Sequence, residues 1–294
     1  MQLNVRSFFG AYQAYCQTNR MTADIFGIDE ELRHDFEDAV FYPKGLDEVS
    51  FLAHYLGEPD NQLANLVNSV FNSIPLSHIY KTLVDGFDMK PDFHLKSDNA
   101  KKLEMSLHHS DDFITFSAVR TFDAHKRKVI HNSCGALCPQ TRKPMHSGYG
   151  SRFLFNSLAV YDQIGVTQID IPEAVKAGVE AWPKMGFVFD VDFFDAEVFD
   201  IVSNYIENER EMSSQKASYI ESLLEDGAEF GVKLFEEDPE LFSEIMREIE
   251  AQATKIAYTA NLQDNEQRAR FNMYFAEKGV RSSQPVKQKF RLYG

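Results

Sequence analysis

The stretch that most narrows what this chain folds into is residues 145–187, MHSGYGSRFLFNSLAVYDQIGVTQIDIPEAVKAGVEAWPKMGF. Phe153, Leu154, Leu158, Tyr161 and Ile164 recur at the spacing of one apolar helix face, so a helix is expected over Ser151–Ile164. Gly165–Ile171 then reads as a short strand, a second helix follows, and Trp182-Pro183-Lys184-Met185-Gly186-Phe187 leads into another strand. Gly148 and Gly150 stand just before the first helix. A glycine pair there frees the backbone for positive φ and lets several N–H groups converge on one point. The helix N-terminus adds its own unpaired donors and a positive dipole end. Such a place suits an anionic group such as a phosphate or pyrophosphate. Two glycines alone would mean only a turn; the ordered strand, loop, helix and strand around them carry the argument.

Strand signals precede this unit. Leu103-Glu104-Met105-Ser106-Leu107-His108 alternates apolar and polar, as a half-buried strand does. Ile114–Phe122 is rich in β-formers. Asp123–Arg127 is a polar turn, and Lys128–Cys134 returns as the next strand. The pattern is an antiparallel meander feeding the loop and helix. Residues 86–100, GFDMKPDFHLKSDNA, read as a loop.

This order resembles the acyl-CoA-binding core of the GNAT acetyltransferase superfamily. Gly148-x-Gly150 matches the family's loop glycines, Gly165–Ile171 the strand after the helix, and Trp182–Phe187 the closing element. The resemblance covers residues 145–187 most closely and extends back through the meander. It implies an α+β fold with a GNAT-like mixed sheet flanked by helices, extended by helical N- and C-terminal regions. It implies an acyl-CoA-dependent N-acyltransferase that moves an acetyl group from acetyl-CoA to an amine acceptor. The residues it places at the cofactor are Asn132, Ser133, Arg142, His146, Ser147, Gly148, Tyr149, Gly150 and Ser151. Two positions depart from the family. Met145 stands where the loop has Arg or Gln, and Trp182 stands where many members have a Tyr that protonates the leaving thiolate. An indole N–H is no acid at neutral pH. Tyr149 and Tyr161 are the candidate hydroxyls in its place.

Acyl transfer needs a backbone N–H on the thioester carbonyl and a base for the amine. The strand 128–134 would present the N–H near Asn132 or Ser133, and His131 on that strand is the nominated base. His108, His109 and Asp112 are the other candidates. The departures also fit a second function class, a non-catalytic GNAT-like interaction or assembly module. GNAT-like domains with atypical flanks occur in phage and mobile-element proteins, which brings a virion or accessory role into view.

The remaining sequence sets the surroundings. With 44% hydrophobic residues, 25 Phe and 12 Tyr, the chain has ample material for a core. No apolar run reaches the roughly 18–20 residues that span a bilayer. Met1–Ser7 lacks the basic start and apolar centre of a signal peptide, so a soluble cytoplasmic protein is expected. The net charge of −15 would repel a nucleic-acid backbone. Two basic patches, His125–Lys128 and Arg142-Lys143, either draw the phosphates of CoA or are solvated turns. Cys16, Cys134 and Cys138 make no disulfide framework. His131-x-x-Cys134-x-x-x-Cys138 lacks a fourth zinc ligand motif, so strand cysteines and no metal are expected.

Three regions result: a helical 1–85, a GNAT-like core over 86–192, and a helical, acidic 193–294 with a basic, aromatic end at Pro285–Gly294. Leu63, Leu66, Val67, Val70 and Phe71 form one helical stripe, and Leu241–Ala253 forms another that begins at Asp238-Pro239. The helical extensions are surfaces for a protein partner or a second copy.

Overall fold

A computed structural model describes residues 62–72, 74, 76–99, 101–141, 148–174, 179–209 and 212–280. Most of the region 1–85 expected to be helical and the basic, aromatic end Pro285–Gly294 lie outside these residues. The chain is an α+β protein, as expected, built as two compact units that meet in sequence between Val166 and Thr167. That division falls within the 86–192 stretch grouped as one core from the sequence.

The first unit opens with helices α1 (Gln62–Phe71) and α2 (Leu76–Leu83). Four strands follow: β1 (Asp92–Asn99), β2 (Lys102–Ser110), β3 (Thr115–Asp123) and β4 (Lys128–Leu137). They pair in order as an antiparallel meander. Helix α3 (Tyr149–Ile164) comes next. The alternation read from the sequence becomes one buried face: Leu103, Met105 and Leu107 on β2, Phe116, Ala118 and Phe122 on β3, Val129 on β4. The helices cover it. Leu66, Val67, Val70 and Phe71 of the α1 stripe are all buried. Phe71 meets Phe122 edge-on at 5.5 Å, and Phe116 meets Phe153 of α3 at 5.9 Å. Each such side chain taken out of water stabilises by about 1.5–3 kcal/mol.

The loop expected over 86–100 is in fact strand β1 from Asp92 onward. Only Phe93 and Leu95 anchor it to the core, an alternation too short to stand out, and the rest is polar. Among the described residues it is the edge of the meander, and edge strands carry polar and charged residues because one side faces no partner.

The second unit holds β5 (Gln168–Ile171), a short α4 (Ala181–Met185), β6 (Val188–Phe189) and α5 (Val191–Phe193). A π-helical turn, Phe194–Val198, runs into α6 (Phe199–Asn208). Then come α7 (Ser214–Leu224), α8 (Phe230–Glu237), α9 (Pro239–Gln252), β7 (Tyr258–Asn261) and α10 (Asn265–Glu277). β7 pairs antiparallel with both β5 and β6. The helices expected in the acidic C-terminal region are present; the one expected between Ile171 and Trp182 falls partly on undescribed residues, and β7, four residues long, is an addition that helical periodicity does not reveal. The Gly-Phe that closes the expected motif has a steric role. Gly186 has φ 96°, and a Cβ there would lie 2.8 Å from Arg270 Cβ. Phe187 and Phe189 continue into a core shared with Phe230, Phe242 and Tyr258. Among the described residues, no helix is long and apolar enough to cross a membrane.

Candidate functional site

The candidate site lies in the first unit, where α3 starts and β4 is interrupted. Gly148 adopts φ 81°, a left-handed value that disfavours any side chain, and turns the chain into α3. Its carbonyl accepts from Arg152 N at 3.0 Å. The amides of Tyr149, Gly150 and Ser151 therefore make up the first turn, where intrahelical acceptors are lacking. Gly148 has no side chain with which to cap them. Gly150 is helical, and a Cβ on it would meet nothing within 4 Å, so the helix start is open there. The end is held in place from beneath. The Tyr149 hydroxyl donates to Asp88, and its ring meets Phe87 at 5.2 Å. Asn156 donates to the carbonyls of Leu83 and Asp85, both at 2.9 Å. Of the expected cofactor residues, Arg142, His146 and Ser147 lie outside the described residues.

The other half of the site is a break in the β3–β4 ladder. Val119 pairs with Ser133, but Arg120 pairs with His131, so Asn132 is an extra residue, a β-bulge. Bulges bend a strand and re-aim its groups. Asn132 and Ser133 are exposed, and Asn132 Oδ1 accepts from Thr121 Oγ1 at 3.0 Å. On the opposite face the same break is held by a buried guanidinium. Arg120 is 1% exposed, and its Nη1 donates to Val119 O at 2.8 Å and to Ser133 O at 2.7 Å. Its guanidinium stands over the Phe153 ring at 5.0 Å. Phe153 lies four residues into α3, so the end of the Arg120 side chain reaches toward the N-terminal part of that helix.

His131 is buried beside it, with Nε2 2.9 Å from the Tyr161 hydroxyl. Burial holds its pKa well below the ordinary imidazole value, and the Arg120 charge adds to the effect, so the ring is neutral. Nδ1 has no hydrogen-bond partner. Burial pushes the Tyr161 hydroxyl and the Cys134 thiol up, with Arg120 opposing in both. The structure thus brings His131, Asn132, Ser133 and Tyr161 to one part of the first unit, while Tyr161 lies twelve residues along α3 from Tyr149, about 18 Å along the helix axis. Arg120 was missed in the sequence, although its signal was present: it occupies an inward position of the β3 alternation, between Ala118 and Phe122.

Other expectations separate. His125–Lys128 forms the β3–β4 turn, where Asp123 Oδ1 accepts from the amides of His125 and Lys126. Arg127 Nη1 would lie 3.9 Å from a Cβ on Gly165, at the C-terminal end of α3. Sixteen residues of helix put it about 24 Å from Gly148. This patch does not reach a phosphate held at the helix start; it complements the negative end of the helix dipole instead. His108, His109 and Asp112 lie at the β2–β3 hairpin. His109 Nε2 is 3.0 Å from Asp111 Oδ2, and that hydrogen bond is the main cause holding the Asp111 carboxyl below the usual range. Trp182, in the second unit, packs against Phe187 at 5.0 Å, and its Nε1 is buried without a partner. Cys138 Sγ donates to Gln140 Oε1 at 3.1 Å. Among the described residues, no group of three or more His, Cys, Asp or Glu side chains is placed to hold a metal ion.

Compared with protein-family models, curated proteins and solved structures, the chain finds no match.

Proposed function

We propose that the chain is an acyl-CoA-dependent N-acyltransferase of GNAT-like type, transferring an acetyl group from acetyl-CoA to an amine. The observation that carries this is an open helix start at Gly148–Ser151 in the same unit as an exposed β4 bulge at Asn132. The first-turn amides of residues 149–151, behind Gly148, take the pyrophosphate, where the helix dipole favours an anion. The exposed segment at Asn132 and Ser133 takes the thioester carbonyl, whose oxygen gains charge as the amine attacks. A C–N bond forms, the C–S bond breaks, and the amine proton passes to His131 directly or through water. A neutral imidazole is the form that accepts a proton. Trp182 cannot protonate the sulfur, which leaves as a thiolate and is protonated by water.

A second reading is a GNAT-like interaction or assembly protein, in a virion or mobile element, that has lost the reaction. The burial of His131 and the engagement of Tyr149 by Asp88 favour it. Thermal unfolding with CoA and acetyl-CoA separates the two. At about 100 times Kd, ligand stabilises by roughly 2.7 kcal/mol. Gly150→Glu puts a carboxylate at the phosphate position and is expected to remove the shift while leaving the ligand-free midpoint nearly unchanged, because the site has room for a side chain. No shift at millimolar CoA leaves the assembly reading.

A further inference from the structure

Arg120 is charged, 1% exposed, and among the described residues has no carboxylate partner. Buried charges are ordinarily paired, because removing them from water is costly. Here Nη1 donates to two carbonyls, the guanidinium stands over an aromatic face, and it hydrogen-bonds the Tyr161 hydroxyl and the Cys134 thiol, all neutral groups that solvate the charge without cancelling it. Its Nε has no partner. The groups facing it bring no negative charge: neutral His131 and the protonated Cys134 thiol on β4, the Tyr161 hydroxyl on α3, and Met105 directly opposite on β2. The apolar residues of α1 and α2 add none.

We propose that the unneutralised charge of Arg120 stabilises the CoA thiolate leaving at the β4 bulge, in place of a proton-donating tyrosine. The inference rests on the acyltransferase reading. The C–S bond breaks with its electron pair on sulfur, the thiolate stays ionised in the field of the guanidinium, and water protonates it on release. In the protein's reduced dielectric a unit positive charge favours a nearby anion more strongly than it would in water. Arg120 also holds Ser133 O, so it positions the bulge as well as charging it.

Binding of CoA and of desulfo-CoA, which lacks the thiol, is measured on the full chain from about pH 7 to about pH 10, the range in which thiols ionise. A site that favours thiolate binds CoA increasingly better than desulfo-CoA as pH rises, here by roughly 10-fold or more. Arg120→Met removes the charge and is expected to flatten the ratio; Arg120→Lys is expected to keep the rise. Met105→Glu places a carboxylate opposite Arg120, cancels the charge while leaving its carbonyl contacts, and is expected to flatten the ratio too. A flat ratio in the wild type overturns the proposal, as does a wild-type rise in either folded charge-cancelled variant. If wild type binds neither CoA nor desulfo-CoA, the acyltransferase reading itself fails, an outcome distinct from binding without pH preference.

Discussion

His131 and Arg120 face each other across the ladder, and the pair makes pH an informative variable. The unfolded His131 titrates near about 6.5, and the folded one well below. Below the unfolded value the unfolded chain takes up the proton and the folded one does not. Stability therefore falls as pH drops from about 6.5 toward the folded pKa, at up to about 1.4 kcal/mol per pH unit, and is unaffected above that window. His131→Gln is expected to flatten this part of the profile, read as urea midpoints of both proteins at several pH values between 7.5 and 5. A profile identical to wild type would mean that the folded imidazole takes up its proton as readily as the unfolded one. The same residue serves the kinetic test: His131→Ala is expected to slow acetyl transfer by about 10²–10⁴-fold with CoA affinity nearly kept. Full activity would make it a structural strand residue.

At the scale of elements, local chemistry sets most boundaries. Asp238 accepts from Leu241 N at 3.0 Å and is followed by Pro239 at the first helical position, so the start of α9 was readable before any packing was known. Asp238→Ala is expected to cost about 1 kcal/mol in chemical denaturation. At α3, Gly148→Ala forces a left-handed Cβ and is expected to cost about 1–2 kcal/mol, with a loss of CoA affinity because the first-turn amides move. An unchanged affinity would place the anion elsewhere. β2, β3 and β4 were legible because their alternation spans many residues and ends at clear turns. β1 and β7 were not: β1 has two apolar anchors, β7 has four residues, and both are specified by the strand beside them. The bulge at Asn132 was equally hidden, since one extra residue changes register between strands and leaves no mark on composition.

Over the whole molecule, the charge of −15 repels itself, and screening relieves the repulsion. Raising salt from about 0.05 to about 0.5 M shortens the Debye length from roughly 14 to roughly 4 Å. The unfolding midpoint is expected to rise across that range. A fall would mean that ion pairs such as Arg270–Glu236 and Lys233–Asp226 outweigh the repulsion. By itself the sequence determined the α+β class, the meander, the helix after Gly148 and the principal helices of the second unit, because periodicity, caps and turn chemistry act over a few residues. The tertiary structure alone decided that Tyr161 meets His131, that Tyr149 is tied to Asp88, that Arg127 sits at the far end of α3, and that Arg120 lies buried behind the bulge with no carboxylate partner among the described residues. Those outcomes depend on strand register and on which helix covers which face, and such contacts join residues dozens of positions apart, beyond the reach of any local pattern.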